Sequence, residues 1–188
     1  AALCVHHGQH AEACMYVDSA RQLLGTELAA LVGESYERAY GSMVRVQQLT
    51  ELEEVVVYSQ LSQEEDREAA DAKQSLMRAM WRERIRGVQR KVEVWQGLLL
   101  VRSLVLPMSE EAETWIKFAS LCQKSGRTRQ AHRTLLQLLQ YNPATISDPS
   151  VPGFGAGSGA PHVMLAYLKH MWHVGDQTTR QNTFLRLQ

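Results

Sequence analysis

The sequence predicts an all-α fold, a right-handed helical-repeat solenoid of tetratricopeptide-like antiparallel helix pairs. Three observations carry that prediction. Apolar residues recur at the 3.6-residue period of a helix in every periodic stretch. The one β-branched run, Val55-Val56-Val57, follows Thr50-Glu51-Leu52-Glu53, a capping box that opens a helix, so it too is assigned to a helix. A set of small and aromatic residues also recurs along the chain at one common spacing.

Taken in order, residues 1–7 are the tail of a helix and 9–24 form the next. Residues 27–49 make a long helix bent near Gly33, and 51–61 follow the capping box. Ser62-Gln63-Glu64-Glu65 is a second capping box and opens an acidic stretch through Asp71. Helices over 75–88 and 91–106 come next, and Pro107 ends the run. A helix over 110–124 starts behind the N-cap candidate Ser109, and 127–141 follows Gly126. Residues 143–161 hold prolines, glycines and serines and read as a flexible loop, before a last pair over 162–174 and 177–188. The organisation is therefore first repeats at 1–61, an acidic insert at 62–74, middle repeats at 75–142, the Pro/Gly loop at 143–161 and a final helix pair at 162–188. The chain starts and stops inside helical patterns, which predicts a piece excised from a longer polypeptide.

The repeat is clearest over Trp115, Phe118, Ala119, Cys122, Gly126, Ala131, Leu135 and Pro143. Trp115, Ala131 and Pro143 fall where a tetratricopeptide repeat of about 34 residues wants an aromatic, an Ala and a Pro. The spacing has a packing reason: small residues let two helices approach, and large ones fill the space between repeats. Ala1, Cys4, Gly8, Ala13 and Val17 repeat the series. A weaker copy has Leu168, Met171, Gly175 and Phe184, with Arg180 where the small Ala belongs.

Composition excludes several classes. Lys plus Arg number 20 and Asp plus Glu number 20, a formal net charge of zero. That argues against a general nucleic-acid or membrane-surface binder, which needs a basic excess. No apolar run approaches the roughly 18 residues of a membrane span. Cys4, Cys14 and Cys122 are too few and too scattered for a disulfide framework and predict a reducing compartment.

Several clusters invite a chemical reading. Cys4, His6, His7, His10 and Cys14 have metal-ligand side chains, but Gly8 ends a helix among them and Cys4 is a repeat core position. They read as a polar inter-helix turn, with no metal expected. Gly153-Phe154-Gly155-Ala156-Gly157 imitates a dinucleotide loop but lacks the preceding strand that the mechanism needs. Glu64, Glu65, Asp66, Glu68 and Asp71 read as a solvated face. Residues 114–142 differ: they hold Lys117, Lys124, Arg127, Arg129 and Arg133 and no acid. Arg129 and Arg133 lie four apart on one helix face, and Arg127 lies at a helix start, where backbone NH groups favour an anion. A second basic cluster runs over Arg78, Arg82, Arg84, Arg86, Arg90 and Lys91. No nucleophile–base pair, paired carboxylates or phosphate loop stands out, so no catalytic residue is assigned and the segment is not read as an enzyme.

The motifs also carry a resemblance. Glu34-Ser35-Tyr36-Glu37-Arg38-Ala39-Tyr40, Glu51-Leu52-Glu53-Glu54-Val55, Val92-Glu93-Val94-Trp95-Gln96, Val101-Arg102-Ser103-Leu104 and Thr114-Trp115-Ile116-Lys117-Phe118-Ala119-Ser120-Leu121-Cys122, with Lys124-Ser125-Gly126-Arg127, resemble the FAT domain of the target-of-rapamycin (TOR) kinases. These are phosphatidylinositol-kinase-related Ser/Thr protein kinases. The wording is nearest the plant and algal forms and runs from Ala1 to Trp172. The insert at 63–73 and the loop at 143–161 depart from the pattern in length.

The resemblance implies a non-catalytic scaffold that wraps and restrains a kinase domain outside this chain, in growth and nutrient signalling. The implied partners are that kinase domain, other helical-repeat regions of the same polypeptide and TOR complex subunits, in a homodimeric parent. The implied location is cytoplasmic, peripheral at endomembranes through the parent complex. Some FAT domains hold an inositol polyphosphate in a basic pocket. Lys117, Arg127, Arg129, Arg133, Lys169 and His173 fall in the matching region and are the candidate site for inositol hexakisphosphate, a structural ligand with no cofactor required. The competing reading is a free-standing tetratricopeptide adaptor that grips a partner peptide in its groove.

Overall fold

The computed structural model describes residues 1–143 and 161–175, together with residues 177, 180, 181 and 184. All regular structure among the described residues is helical. The chain divides into two compact units, Ala1–Pro107 and Met108–Gln188.

The first unit holds α1 (Ala2–His6), α2 (His10–Glu34), α3 (Tyr36–Leu61), α4 (Arg67–Gly87) and α5 (Val92–Arg102). The α2–α3 contact is its most extensive, and α3 also packs on α4 and α5. Helix α4 shows why a charge-rich segment is helical. Its buried Ala70, Gln74, Trp81 and Ile85, with half-buried Met77, form one stripe on an otherwise charged cylinder. Val5, Ala13, Val17, Leu52, Val55, Val56, Tyr58, Trp81 and Leu106 make the core. Each large apolar side chain buried there stabilises the fold by about 1.5–3 kcal/mol.

Three expected helix boundaries are absent and one is displaced. The break expected at 25–26 does not occur, because α2 runs to Glu34 and the chain turns at an extended Ser35. The capping box at Thr50 opens nothing. The Thr50 hydroxyl donates to the Val46 carbonyl of the preceding turn at 3.1 Å, so α3 continues through it. The second capping box also fails, since Ser62 is the C-cap of α3 and donates to the Tyr58 carbonyl. Helix α4 starts earlier than expected, at Arg67, where the Asp66 carboxylate accepts from the Ala69 amide at 3.1 Å. Part of the acidic insert is therefore helix start, which suits the positive end of the helix dipole.

A charged network crosses the interior of this unit. The guanidinium of Arg102, on α5, donates to both carboxylate oxygens of Glu51, on α3, at 2.8 and 2.9 Å, and both side chains are buried. Beside them Arg84 grips Glu54 at 2.7 and 2.8 Å, and Trp81 Nε1 donates to Glu54 at 2.7 Å. The Glu54 hydrogen bond is the main cause that raises the Arg84 pKa above its usual value. The basic cluster over 78–91 is thus largely tied to partners: Arg78 donates to the Tyr58 hydroxyl and Arg86 pairs with Glu83.

The second unit holds α6 (Ala112–Lys124), α7 (Thr128–Leu139) and α8 (Pro161–Val174). Helix α7 folds back along α6, and α8 packs on both. Helix α6 begins after Glu111, so Ser109 is not its N-cap. Residues 177, 180, 181 and 184 of the expected last helix are helical. The loop expected at 143–161, with its glycine run at 153–157, lies outside the described residues apart from its two ends.

The spacing series reappears as turn geometry. Gly8 and Gly126 take φ of +73° and +78°, a left-handed conformation that glycine adopts without strain. After each, the next amide bonds the same position: Gln9 N–H to the Cys4 carbonyl and Arg127 N–H to the Cys122 carbonyl, both at 2.8 Å. Ala13 and Ala131 are both fully buried in the helices that follow. The weaker copy differs. Gly175 N–H bonds the Met171 carbonyl, four residues back, and the Arg180 guanidinium donates to the Trp172 carbonyl at 3.0 Å. Arg180 thus satisfies a carbonyl at the end of α8 that has no further turn of that helix to bond.

Candidate functional site

In the second unit a cavity of about 640 Å³ opens between α6 and α8. Each helix presents one stripe to it. Helix α6 contributes Glu113, Ile116, Lys117, Ser120 and Lys124, and α8 contributes His162, Leu165, Ala166, Lys169, His170 and His173. Both sets follow the three-and-four spacing of a single helix face. Ala119 and Leu135 reach the cavity from the packed interior, so it has apolar walls with charged groups on its helices.

The six candidate residues do not gather at one place. Lys117, Lys169 and His173 line this cavity. Arg133 lines a separate recess with His132, Leu136, Gln137, Gln140 and Tyr141. Arg127 and Arg129 are exposed and line neither. Arg127 is the N-cap of α7 rather than a first-turn residue, so its position relative to the backbone NH groups differs from expectation. The reason for the separation is the α7 register. Ala131, Thr134, Leu135, Leu138 and Leu139 are the buried stripe, and Arg129 and Arg133 lie off it. Conversely the cavity adds Lys124, His162 and His170. Lys124 stands seven residues after Lys117, which already places it on the same face. The histidines share the stripe of Lys169, a signal carried by the spacing of 162, 165, 166, 169, 170 and 173.

The electrostatics are graded. Lys117 Nζ lies 3.9 Å from the Glu113 carboxylate, with both side chains largely exposed, a weak and solvent-screened pair. His173 Nδ1 donates to the Lys169 carbonyl at 2.7 Å. His170 is buried, its Nδ1 is 3.1 Å from Gln123 Oε1, and its ring is 5.7 Å from that of His132. Burial, and then the neighbouring His132 and His173, hold the His170 pKa below its ordinary value. It is therefore a neutral, hydrogen-bonded filler at pH 7. Such a site suits an anion, since ammonium groups on flexible stems supply point charges that adapt to phosphate or carboxylate oxygens.

In the first unit the expected polar turn holds His6 and His7 exposed, with rings edge-on at 5.5 Å, while Cys4 and Cys14 pack against the core. Among the described residues no three His, Cys, Asp or Glu side chains converge as metal ligands, and no helix is long and apolar enough to cross a membrane.

Comparison with known proteins bears on the whole chain. The sequence profile of the FAT domain matches residues 1–188. The chain is 54% identical over 188 residues to the serine/threonine-protein kinase TOR of Oryza sativa subsp. japonica and 52% identical over 188 residues to that of Arabidopsis thaliana. It is 43% identical over 177 residues to the serine/threonine-protein kinase TOR2 of Saccharomyces cerevisiae. All of this chain is covered in the two plant comparisons and 94% in the yeast one, yet it spans only 7% of the length of each of these relatives.

Proposed function

We infer the role of this chain from a plain premise: it belongs to the FAT domain family. We propose that it is a non-catalytic scaffold and regulatory segment of a TOR-type Ser/Thr kinase, clamping the kinase domain and supporting complex assembly in growth and nutrient signalling. The observation that carries the reading is the profile match over all 188 residues, joined to an all-helical architecture of packed pairs. On this reading the pairs stack as a right-handed tetratricopeptide-like superhelix. The partners are the kinase domain, neighbouring helical repeats and TOR complex subunits, in a cytoplasmic, homodimeric parent that meets endomembranes peripherally. Such surfaces act through shape and packing rather than through a reacting group. The pure chain should bind a TOR-type kinase domain in trans, seen by co-elution, and should turn over no ATP. Reproducible turnover abolished by one point change in this chain would overturn the reading. So would the absence of any association.

A second reading rests on the α6–α8 cavity. Lys117, Lys124, Lys169 and His173 all line it, and on this reading they form a structural site for an inositol polyphosphate such as inositol hexakisphosphate. Arg127, Arg129 and Arg133 lie outside it and add at most long-range attraction. A ligand that binds only the folded chain stabilises it by about 2.7 kcal/mol at a hundredfold excess over Kd. Inositol hexakisphosphate should therefore raise the melting temperature at low salt and raise it less at high salt. Lys117→Glu with Lys169→Glu should abolish the shift, while Arg129→Glu with Arg133→Glu should leave most of it. The reverse pattern would move the site to the α7 face.

A further inference from the structure

We propose that the α6–α8 cavity is a proton-linked anion site: a polyanion held by Lys117, Lys124 and Lys169 draws a proton from the buffer onto His173 and His162. The proposal rests on the anion reading of this cavity and adds a regulation to it, a capture that tightens as pH falls.

An ordinary lysine is charged throughout the neutral range and gives a site no pH response there. Histidine is the side chain whose charge changes between pH 5 and 8. His162 and His173 both line the cavity from α8, on either side of Lys169. Eleven residues of helix separate them, roughly 16 Å along the axis, so two imidazolium rings there repel one another only weakly. A polyanion bound within a few ångströms favours the charged form of a histidine.

The geometry also fixes where the proton goes on His173. Its Nδ1 hydrogen is donated to the Lys169 carbonyl at 2.7 Å, so Nε2 is the nitrogen without a hydrogen in the neutral ring. Protonation there completes the imidazolium with no change of tautomer and no loss of the existing hydrogen bond. His170 lines the same cavity and does not take part. It is buried, hydrogen-bonded to Gln123, and flanked by His132 of α7 and by His173, so a charge on it is desolvated and repelled. The groups that face the titrating rings are therefore Glu113, Lys117 and Lys124 from α6, His132 from α7 through His170, and Lys169 from α8 itself.

Phosphate esters are a poor probe because they titrate near pH 6 themselves. Inositol hexasulfate keeps its charge across the range and isolates the proton taken up by the protein. The chain should be titrated calorimetrically with inositol hexasulfate in buffers of different ionisation enthalpy, with its helical circular dichroism checked at each pH. Net proton uptake is expected, with affinity rising roughly tenfold between pH about 7.5 and about 6, the effect of one unit of linked pKa change. His162→Gln with His173→Gln should remove the proton uptake. His173→Lys should bind more tightly at the higher pH with a flatter profile. Lysine-dependent binding without proton uptake would overturn the proton linkage and leave the anion site standing. Uptake that persists in the double histidine variant would also overturn it. No binding at pH about 6, or binding indifferent to Lys117→Ala with Lys169→Ala, would overturn the anion site and the linkage together.

Discussion

Replacing Arg102 by Ala is expected to cost about 3–5 kcal/mol, the range for removing one partner of a buried ion pair. The substitution leaves the Glu51 carboxylate fully buried and without its two charge-assisted hydrogen bonds from Arg102. Arg84 lies 3.6 Å from Glu51, but its guanidinium is already engaged by Glu54, and Gln47 supplies only a neutral amide at 3.1 Å. Arg102 also lies over the Trp81 ring at 5.8 Å, so truncation opens space beside the largest fully buried side chain of this unit. Replacing both partners gives the contrasting outcome. Glu51→Leu with Arg102→Met removes two desolvated charges together and should lie within about 2 kcal/mol of the parent, on either side. Urea unfolding measures the total, and hydrogen exchange at the amides of α3 and α5 shows that the loss falls in this unit. A single variant that costs under about 1 kcal/mol would mean that water reaches Glu51.

That network shows what the sequence could and could not display. The helical content was legible, because Ala70, Gln74, Trp81 and Ile85 write a helix face into the chain itself. The pairing of Glu51 with Arg102 was not, since the two stand 51 residues apart and nothing local distinguishes Arg102 from a solvated arginine. Helix boundaries failed for a related reason. Thr50 and Ser62 have the residues of a capping box, but a hydroxyl within a helix can bond the carbonyl four residues back, and there tertiary packing favours a longer α3. Gly8 and Gly126 succeeded because a left-handed turn constrains residue type directly.

The candidate site divides along the same line. Lys117 came from the acid-free basic segment and Lys169 from the family resemblance, and both line the cavity. Arg129 and Arg133 came from the same segment as Lys117 and share a helix face, as their spacing requires. Which face of α7 looks toward α8 depends on the stripe from Ala131 to Leu139, and the arginines lie off it. Weighing that stripe before the charge would have separated them. His162 and His170 of α8, which also line the cavity, were passed over because histidine is left out of a formal charge count, whereas His173 was already among the candidates.

Trp115→Ala is expected to cost about 3–5 kcal/mol, the usual range for truncating a buried Trp or Phe. Trp115 is 8% exposed and meets Phe118 edge-on, with ring centroids 5.8 Å apart. That edge-to-face contact adds to simple area burial, and both rings belong to the α6 face that also carries the buried Ala119 and Cys122. Trp172→Ala provides the control within the same unit. That side chain is 46% exposed on α8, and its loss should change stability by no more than about 0.5 kcal/mol. The two variants remove the same chemical group, so the difference between them measures packing alone. Lys117 stands two residues after Trp115 on α6, so a loosened α6 also blurs the position of its ammonium group in the cavity. The Trp115 variant should therefore show a smaller inositol hexakisphosphate melting shift than the parent, while the Trp172 variant keeps it. Urea unfolding and the ligand-dependent melt check both halves. Equal costs for the two tryptophans would remove Trp115 from the core of this unit. An unchanged ligand shift in a strongly destabilised Trp115 variant would show that the anion site does not depend on how α6 is packed.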